Sequence, residues 1–182
     1  MYNKLFILVE GPDDTRFFEN IVRPLFTPHF KDIIVKEYAV RTPSFVNTMI
    51  SACKGPNKCY IFQSDIDDNK KDHKWKKEKI IKKYKSVEED NIIIVITEIE
   101  SWYLAGLDER SSEKLGIDYL SNTDDITKEK FLKLLPRKFD SKIDFMLEIL
   151  KDFEIATAKK KNRSLNLFLT DFYSEFIKSY CI

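Results

Sequence analysis

Leu5-Phe6-Ile7-Leu8-Val9-Glu10-Gly11-Pro12-Asp13-Asp14 decides the fold. Five consecutive apolar residues leave no polar face, which is the pattern of a strand buried on both sides. Glu10 ends the run, Gly11-Pro12 turns the chain, and Asp13, Asp14 or Thr15 can cap the next helix. Phe17, Phe18, Ile21, Val22, Leu25 and Phe26 then recur at helical spacing, with Pro24 expected to end or kink the helix. The same alternation continues outward. Ile33 to Val40 reads as a second strand, and Thr42-Pro43 opens a helix bearing Phe45, Met49 and Ile50. Lys58 to Gln63 is a third strand, Lys70 to Lys85 a lysine-rich helix, and Asn91 to Ile96 a fourth strand. Strands alternating with helices imply a parallel sheet covered on both faces.

From Ser101 onward the pattern is helical. Leu165, Phe168, Leu169, Phe172, Tyr173, Phe176, Ile177 and Tyr180 form one stripe of a last helix that Ser164 is placed to cap, and core packing explains that stripe. Lys159 to Arg163 reads as an exposed loop.

Composition bounds the rest. The chain has 182 residues, 43% hydrophobic and 34% charged, enough for a real core without disulfide staples. Cys53, Cys59 and Cys181 are odd in number and lack C-x-x-C spacing, and the only histidines are His29 and His73. A disulfide framework and a zinc site are therefore not expected, and a reducing cytoplasm is. No run approaches the roughly 20 apolar residues of a membrane span, and the apolar start is too short for a secretion signal.

Three of the four strands end in carboxylates: Glu10 with Asp13 and Asp14, then Asp65, Asp67 and Asp68, then Glu98 and Glu100. Ligands of open α/β sheets bind outside the carboxyl ends of the strands, so adjacent strands would bring these acids together. Clustered carboxylates repel and stay partly protonated unless a cation compensates. Oxygen-only ligands suit Mg²⁺ or Mn²⁺, one ion or two. Such an ion can neutralise a transferring phosphoryl group and activate water. The plainer reading is that acidic residues simply favour turns.

Against these acids stands a basic side. Residues 69–85 hold nine lysines against Asp72 and Glu78, a local charge of +7, and residues 159–163 add +4. The whole chain is only +1, so the remainder carries −10. Lys70, Lys71, Lys74, Lys77, Lys160 and Arg163 are the candidates for holding a nucleic-acid backbone without reading sequence. Trp75 and Tyr84 either stack on bases or pack. A solvated face in a lysine-biased composition is the plainer alternative.

Val9-Glu10-Gly11-Pro12-Asp13-Asp14 resembles the first motif of TOPRIM domains, and Asp65-Ile66-Asp67 resembles their D-x-D motif. Glu98-Ile99-Glu100-Ser101-Trp102-Tyr103-Leu104-Ala105-Gly106 resembles an E-x-E-x-W segment of small stand-alone TOPRIM proteins from mobile or defence loci, and Arg163-Ser164-Leu165 with Phe168 resembles their C-terminal segment. The likeness is strongest over residues 5–107. It implies a TOPRIM-like, Rossmannoid core over residues 1–107, with a parallel four-stranded sheet. A helical extension over 108–182 would pack on the same domain.

The resemblance further implies a cytoplasmic Mg²⁺- or Mn²⁺-dependent nuclease of the overcoming-lysogenization-defect or ribosomal-RNA-maturase type, acting on DNA or RNA in phage defence. Glu10, Asp65 and Asp67 would be catalytic, and Glu10, Asp14, Asp65, Asp67, Glu98 and Glu100 would hold metal. The glycine common after D-x-D is missing, since Asp68-Asn69-Lys70-Lys71 follows. No phosphate-binding ATPase loop is present, so an ATPase partner would be a separate chain. The alternatives are a non-catalytic TOPRIM binding module, or a receiver-like phosphoacceptor domain built on Asp13, Asp14, Asp65 and Thr97. A receiver needs a fifth strand, and none is evident after Thr97.

Overall fold

The computed structural model describes residues 4–66 and 72–181, the side chain of Cys181 apart. Four parallel strands form one sheet: β1 (Lys4–Val9), β2 (Asp32–Glu37), β3 (Lys58–Asp65) and β4 (Ile92–Val95), in the order β2-β1-β3-β4. Between them lie α1 (Pro12–Phe17), α2 (Arg23–Phe26), α3 (Pro43–Ala52) and α4 (His73–Lys83). Alternating side chains divide the strands between two apolar clusters, as the pleat requires. Leu5, Ile7, Val9, Cys59, Ile61, Ile93 and Val95 face one. Leu8, Tyr60, Phe62, Ile92 and Ile94 face the other, where Val46, Ile50 and Ile80 of α3 and α4 cover them. The fold is thus α/β and doubly wound, with the topological switch between β1 and β3.

Seven helices follow β4 among the described residues: α5 (Glu100–Ala105), α6 (Glu109–Leu115), α7 (Lys128–Leu134), α8 (Lys142–Lys151), α9 (Ile155–Lys161), α10 (Arg163–Leu167) and α11 (Tyr173–Cys181). They build the first cluster around Trp102, which is fully buried and stacks on Phe168 at 5.5 Å and Phe18 at 6.1 Å. Leu165, Phe168 and Phe176 of the aromatic stripe are buried there, and the rest of the stripe packs against them.

Several local expectations change. Pro24 does not end its helix, because a π turn over Phe18–Val22 joins α1 to α2 and leaves the proline in the first turn of α2. The π turn carries the helical hydrogen bonding as far as Arg23, whose N–H donates to the Phe18 carbonyl, just ahead of the residue that has no N–H to give. Residues 159–163 are not an exposed loop. They end α9 and begin α10, with Lys161 and Asn162 buried. The Lys161 amine donates to the Leu107 carbonyl at 2.5 Å and the Leu104 carbonyl at 3.3 Å, satisfying groups that the end of α5 leaves open. Burial lowers its pKa to about 8. Asn162, not Ser164, caps α10, accepting from Leu165 N at 3.0 Å. Cys53 and Cys59 are buried thiols, neither of them in a disulfide. Among the described residues no helix is long and apolar enough to cross a membrane.

Candidate functional site

The site lies at the carboxyl ends of β1 and β3, on either side of the switch point. The β1–β3 register pairs Leu8 with Phe62, so Glu10 comes level with Ser64. Glu10 Oε1 accepts from Ser64 Oγ and from Asp65 N at 3.2 Å, with Tyr38 Oη 3.4 Å away. Tyr38 Oη donates at 2.9 Å to the Gln63 carbonyl, and burial followed by the Glu10 charge raises the phenol pKa well above its usual value. One oxygen of Glu10 is therefore fully committed. The other has no hydrogen-bond partner among the described residues.

Gln63, fully buried, ties the two strand ends together. Its Oε1 accepts from Glu10 N at 3.3 Å and its Nε2 donates to Asp65 Oδ1 at 2.7 Å. Two residues apart on a strand, Gln63 and Asp65 share a face. Asp65 Oδ2 accepts from Ile99 N at 3.1 Å. Thr97 aims that N–H: it sits at φ 69°, unusual for a β-branched residue, and its hydroxyl donates to the Asp124 carbonyl at 2.6 Å.

Asp14 is the unsatisfied member. It stands in the first turn of α1, and its Oδ2 accepts from Gly11 N at 3.0 Å. Its Oδ1 is buried without a hydrogen-bond partner, and the residue is only 5% exposed. Burial first, then the charges of Glu10 and Glu100, raise its pKa to about 7. Glu100, 4% exposed at the start of α5, pairs with Lys142 Nζ at 2.6 Å. Lys142 also pairs with Asp13 Oδ2 at 2.7 Å, while Asp13 Oδ1 takes Arg16 at 2.8 Å. These partners hold Asp13 below its usual pKa despite burial.

Glu10, Asp14, Asp65 and Glu100 of the sequence candidates thus stand at one end of the sheet, where Glu10 and Glu100 act on Asp14 and Glu10 accepts from the Asp65 amide. Glu98 turns elsewhere: its carboxylate accepts from Lys128 N, the first residue of α7. Asp67, Lys70 and Lys71 lie outside the described residues. Gln63, Ser64, Tyr38 and Lys142 were not anticipated. Only the position of Gln63 two residues before Asp65 signalled a role.

The oxygen-only donor set and the lone buried oxygen of Asp14 fit a hard divalent cation. Among the described residues, however, no three of His, Cys, Asp and Glu form a metal-holding group by themselves. Carboxylate ligands beyond these, or water and substrate oxygens, would have to complete the shell, as is usual for Mg²⁺.

Basic residues gather at the end of β4. Burial first, then the charges of Arg163 and Lys77, lower the pKa of His73, so residues from the two separate basic tracts flank one imidazole. Lys74, Lys160 and Arg163 are exposed, whereas Lys77 is half-buried and donates to the Glu89 carbonyl at 3.3 Å. Trp75 is half-buried under Lys79, whose amine lies 4.8 Å from the ring centroid. Tyr84 packs in the second apolar cluster.

The two outlying motif segments touch. Ser164 Oγ accepts from Trp102 Nε1 at 2.8 Å and from Ile96 N at 3.1 Å, and donates to Asn162 Oδ1 at 2.9 Å. A hydroxyl has one proton and two lone pairs, so this one is fully used. The clamp fixes the end of β4 against α5 and hence the start of the helix that carries Glu100. No fifth strand occurs among the described residues. No family model, curated protein or solved structure matches this chain.

Proposed function

We propose that the chain is a TOPRIM-type nuclease that hydrolyses phosphodiester bonds of nucleic acid, DNA or RNA, with Mg²⁺ or Mn²⁺. The observation that carries this reading is the buried, unpartnered Asp14 oxygen that feels the charges of Glu10 and Glu100 at the sheet's switch point. The likeness of the Glu10, Asp65 and Glu98–Gly106 segments to TOPRIM motifs supports it. So does the meeting of Trp102 with Ser164.

In this reading Glu10, Asp14 and Asp65 would each offer a carboxylate to the metal without forming a closed cage by themselves, water and substrate oxygens would complete the shell, and Asp67 is the expected further ligand. When bound, the ion supplies charge neutralisation for a phosphate and acidifies a water. The chain's own residues do the rest. Ser64 and the Asp65 amide lock one oxygen of Glu10, leaving its second oxygen to orient water or accept a proton. Gln63 and the Ile99 amide fix both oxygens of Asp65. Arg163, Lys74 and Lys160 offer charge to the backbone of the nucleic acid. A cytoplasmic setting, phage defence and a separate ATPase chain belong to the same reading.

One observation favours a second reading, a nucleic-acid-binding module without hydrolysis: Lys142 already neutralises Asp13 and Glu100. Incubation with plasmid DNA, single-stranded DNA and structured RNA, in Mg²⁺ and in Mn²⁺, separates the two. Cleavage by the wild type that Glu10→Ala and Glu10→Gln both abolish is expected. Binding without cleavage supports the module, and full cleavage by Glu10→Gln refutes the nuclease assignment.

A further inference from the structure

We propose that Lys142 is the resident counter-ion of the acidic site and that a divalent cation binds by competing with its ammonium for Glu100; this rests on the metal reading above. Five carboxylates, Glu10, Asp13, Asp14, Asp65 and Glu100, stand at this end of the sheet. Among the described residues, Asp13 and Glu100 are paired with cations, Asp13 with Arg16 and Lys142 and Glu100 with Lys142. Arg16 serves Asp13 alone in these pairs, so Lys142 is the cation paired with Glu100. The Lys142 side chain is 16% exposed and its amine lies 5.9 Å from the Phe131 ring centroid, a confined position for a long chain.

Lys142 does not reach Asp14, whose second oxygen stays without a partner while feeling the charge of Glu100. A divalent ion seated beside Asp14 is therefore drawn toward Glu100 and repelled by the ammonium bound there. Asp13 keeps Lys142 tethered when Glu100 changes partner, because its second oxygen holds the amine at 2.7 Å independently. The ammonium thus does two things. It stabilises the acidic site when no metal is present, and it lowers metal affinity. Both roles come from α8, so the helical extension sets the affinity of a site built at the ends of β1 and β3 and the first turns of α1 and α5.

The test measures Mn²⁺ binding by electron paramagnetic resonance at pH 8 and low salt, for the wild type, Lys142→Gln, Lys142→Arg and Asp14→Asn. Lys142→Gln is expected to bind Mn²⁺ about tenfold more tightly than wild type, since a charge adjacent to the ion has been removed. Lys142→Arg keeps the charge and is expected to stay within about threefold. Asp14→Asn is expected to bind weakly. Folded Lys142→Gln with unchanged or weaker affinity overturns the competition while leaving the metal reading intact. Absence of saturable Mn²⁺ binding in both wild type and Lys142→Gln overturns both. If circular dichroism shows Lys142→Gln unfolded, the wild type decides. Its Lys142 ammonium ¹⁵N resonance, identified by its loss in Lys142→Arg, is expected to shift in step with Mg²⁺ saturation. A resonance that stays fixed as Mg²⁺ binds overturns the proposal.

Discussion

Replacing Asp14 by Asn isolates the energetic cost of the acidic site. In the folded protein this carboxyl titrates at about 7, against 3.8 in the unfolded chain. Burial is the main cause, and Glu10 and Glu100 add to it. Between those two values the folded state holds a proton that the unfolded state has released. Stability therefore falls as pH rises from about 4 to about 7, and the penalty is complete above that window. At about 1.4 kcal/mol per pH unit the gap amounts to about 4 kcal/mol at pH 8, an upper figure for a single buried carboxyl. Asparagine keeps an oxygen to accept from Gly11 N and puts an amide where the partnerless oxygen stood. In EDTA, Asp14→Asn is expected to be more stable than wild type by about 2 to 4 kcal/mol at pH 8 and nearly equal to it at pH 4. Urea unfolding followed by circular dichroism at pH 4, 6 and 8 measures this difference. Millimolar Mg²⁺ should narrow the gap at pH 8 by stabilising the wild type alone. A difference independent of pH, or an Asp14→Asn protein less stable than wild type at pH 8, refutes the reasoning.

Ser164→Ala leaves the Trp102 indole N–H and the Ile96 amide without their buried acceptor, so a loss of about 3 kcal/mol in urea unfolding is expected. Gly106→Ala would put a methyl 2.3 Å from the Phe153 ring, and the ring must move; calorimetry should register a loss of about 1 to 3 kcal/mol. Charge reversal at Lys74 and Lys82, both exposed, should weaken nucleic-acid binding by the intact fold and flatten its salt dependence by about 1 to 2 in log–log slope. Unchanged affinity in an anisotropy titration rejects that role. Lys77 is left in place because its amine serves the Glu89 carbonyl.

Elements were legible where a local rule and the tertiary outcome agree. β1, β3 and β4 hold unbroken apolar runs, over residues 5–9, 59–62 and 92–95, because both sheet faces are covered, and acids follow each run at or just beyond the strand end. The pairing of acids with their partners was less legible. Nothing local distinguishes Glu98 from Glu100. A left-handed turn at Thr97 precedes them, and the two carboxylates diverge, one to the Lys128 amide and the other to Lys142. Lys142 itself sits 42 residues beyond Glu100, in a segment with no motif. The lysines of 159–163 misled for a related reason. Charge suggests solvent, yet Lys161 is drawn inward by open carbonyls at the end of α5, a partner that only the tertiary fold supplies.

The helices after β4 belong to the energetics of the site. A cluster of acids at a switch point is unstable alone, as the raised pKa of Asp14 attests. Each relief visible around α5 comes from the extension. Lys142 of α8 neutralises Glu100, the first amide of α7 engages Glu98, Lys161 of α9 closes the end of α5, and Ser164 of α10 clamps Trp102 to the end of β4. Cutting these contacts one at a time would act on Glu100 differently. Loss of Lys142 removes charge but not position, while loss of Ser164 loosens position but leaves charge. Affinity for a cation should follow the first, and thermal stability the second. The ends of β1 and β3 and the first turns of α1 and α5 supply the acids, and the extension determines how much negative charge the site can carry before a cation arrives.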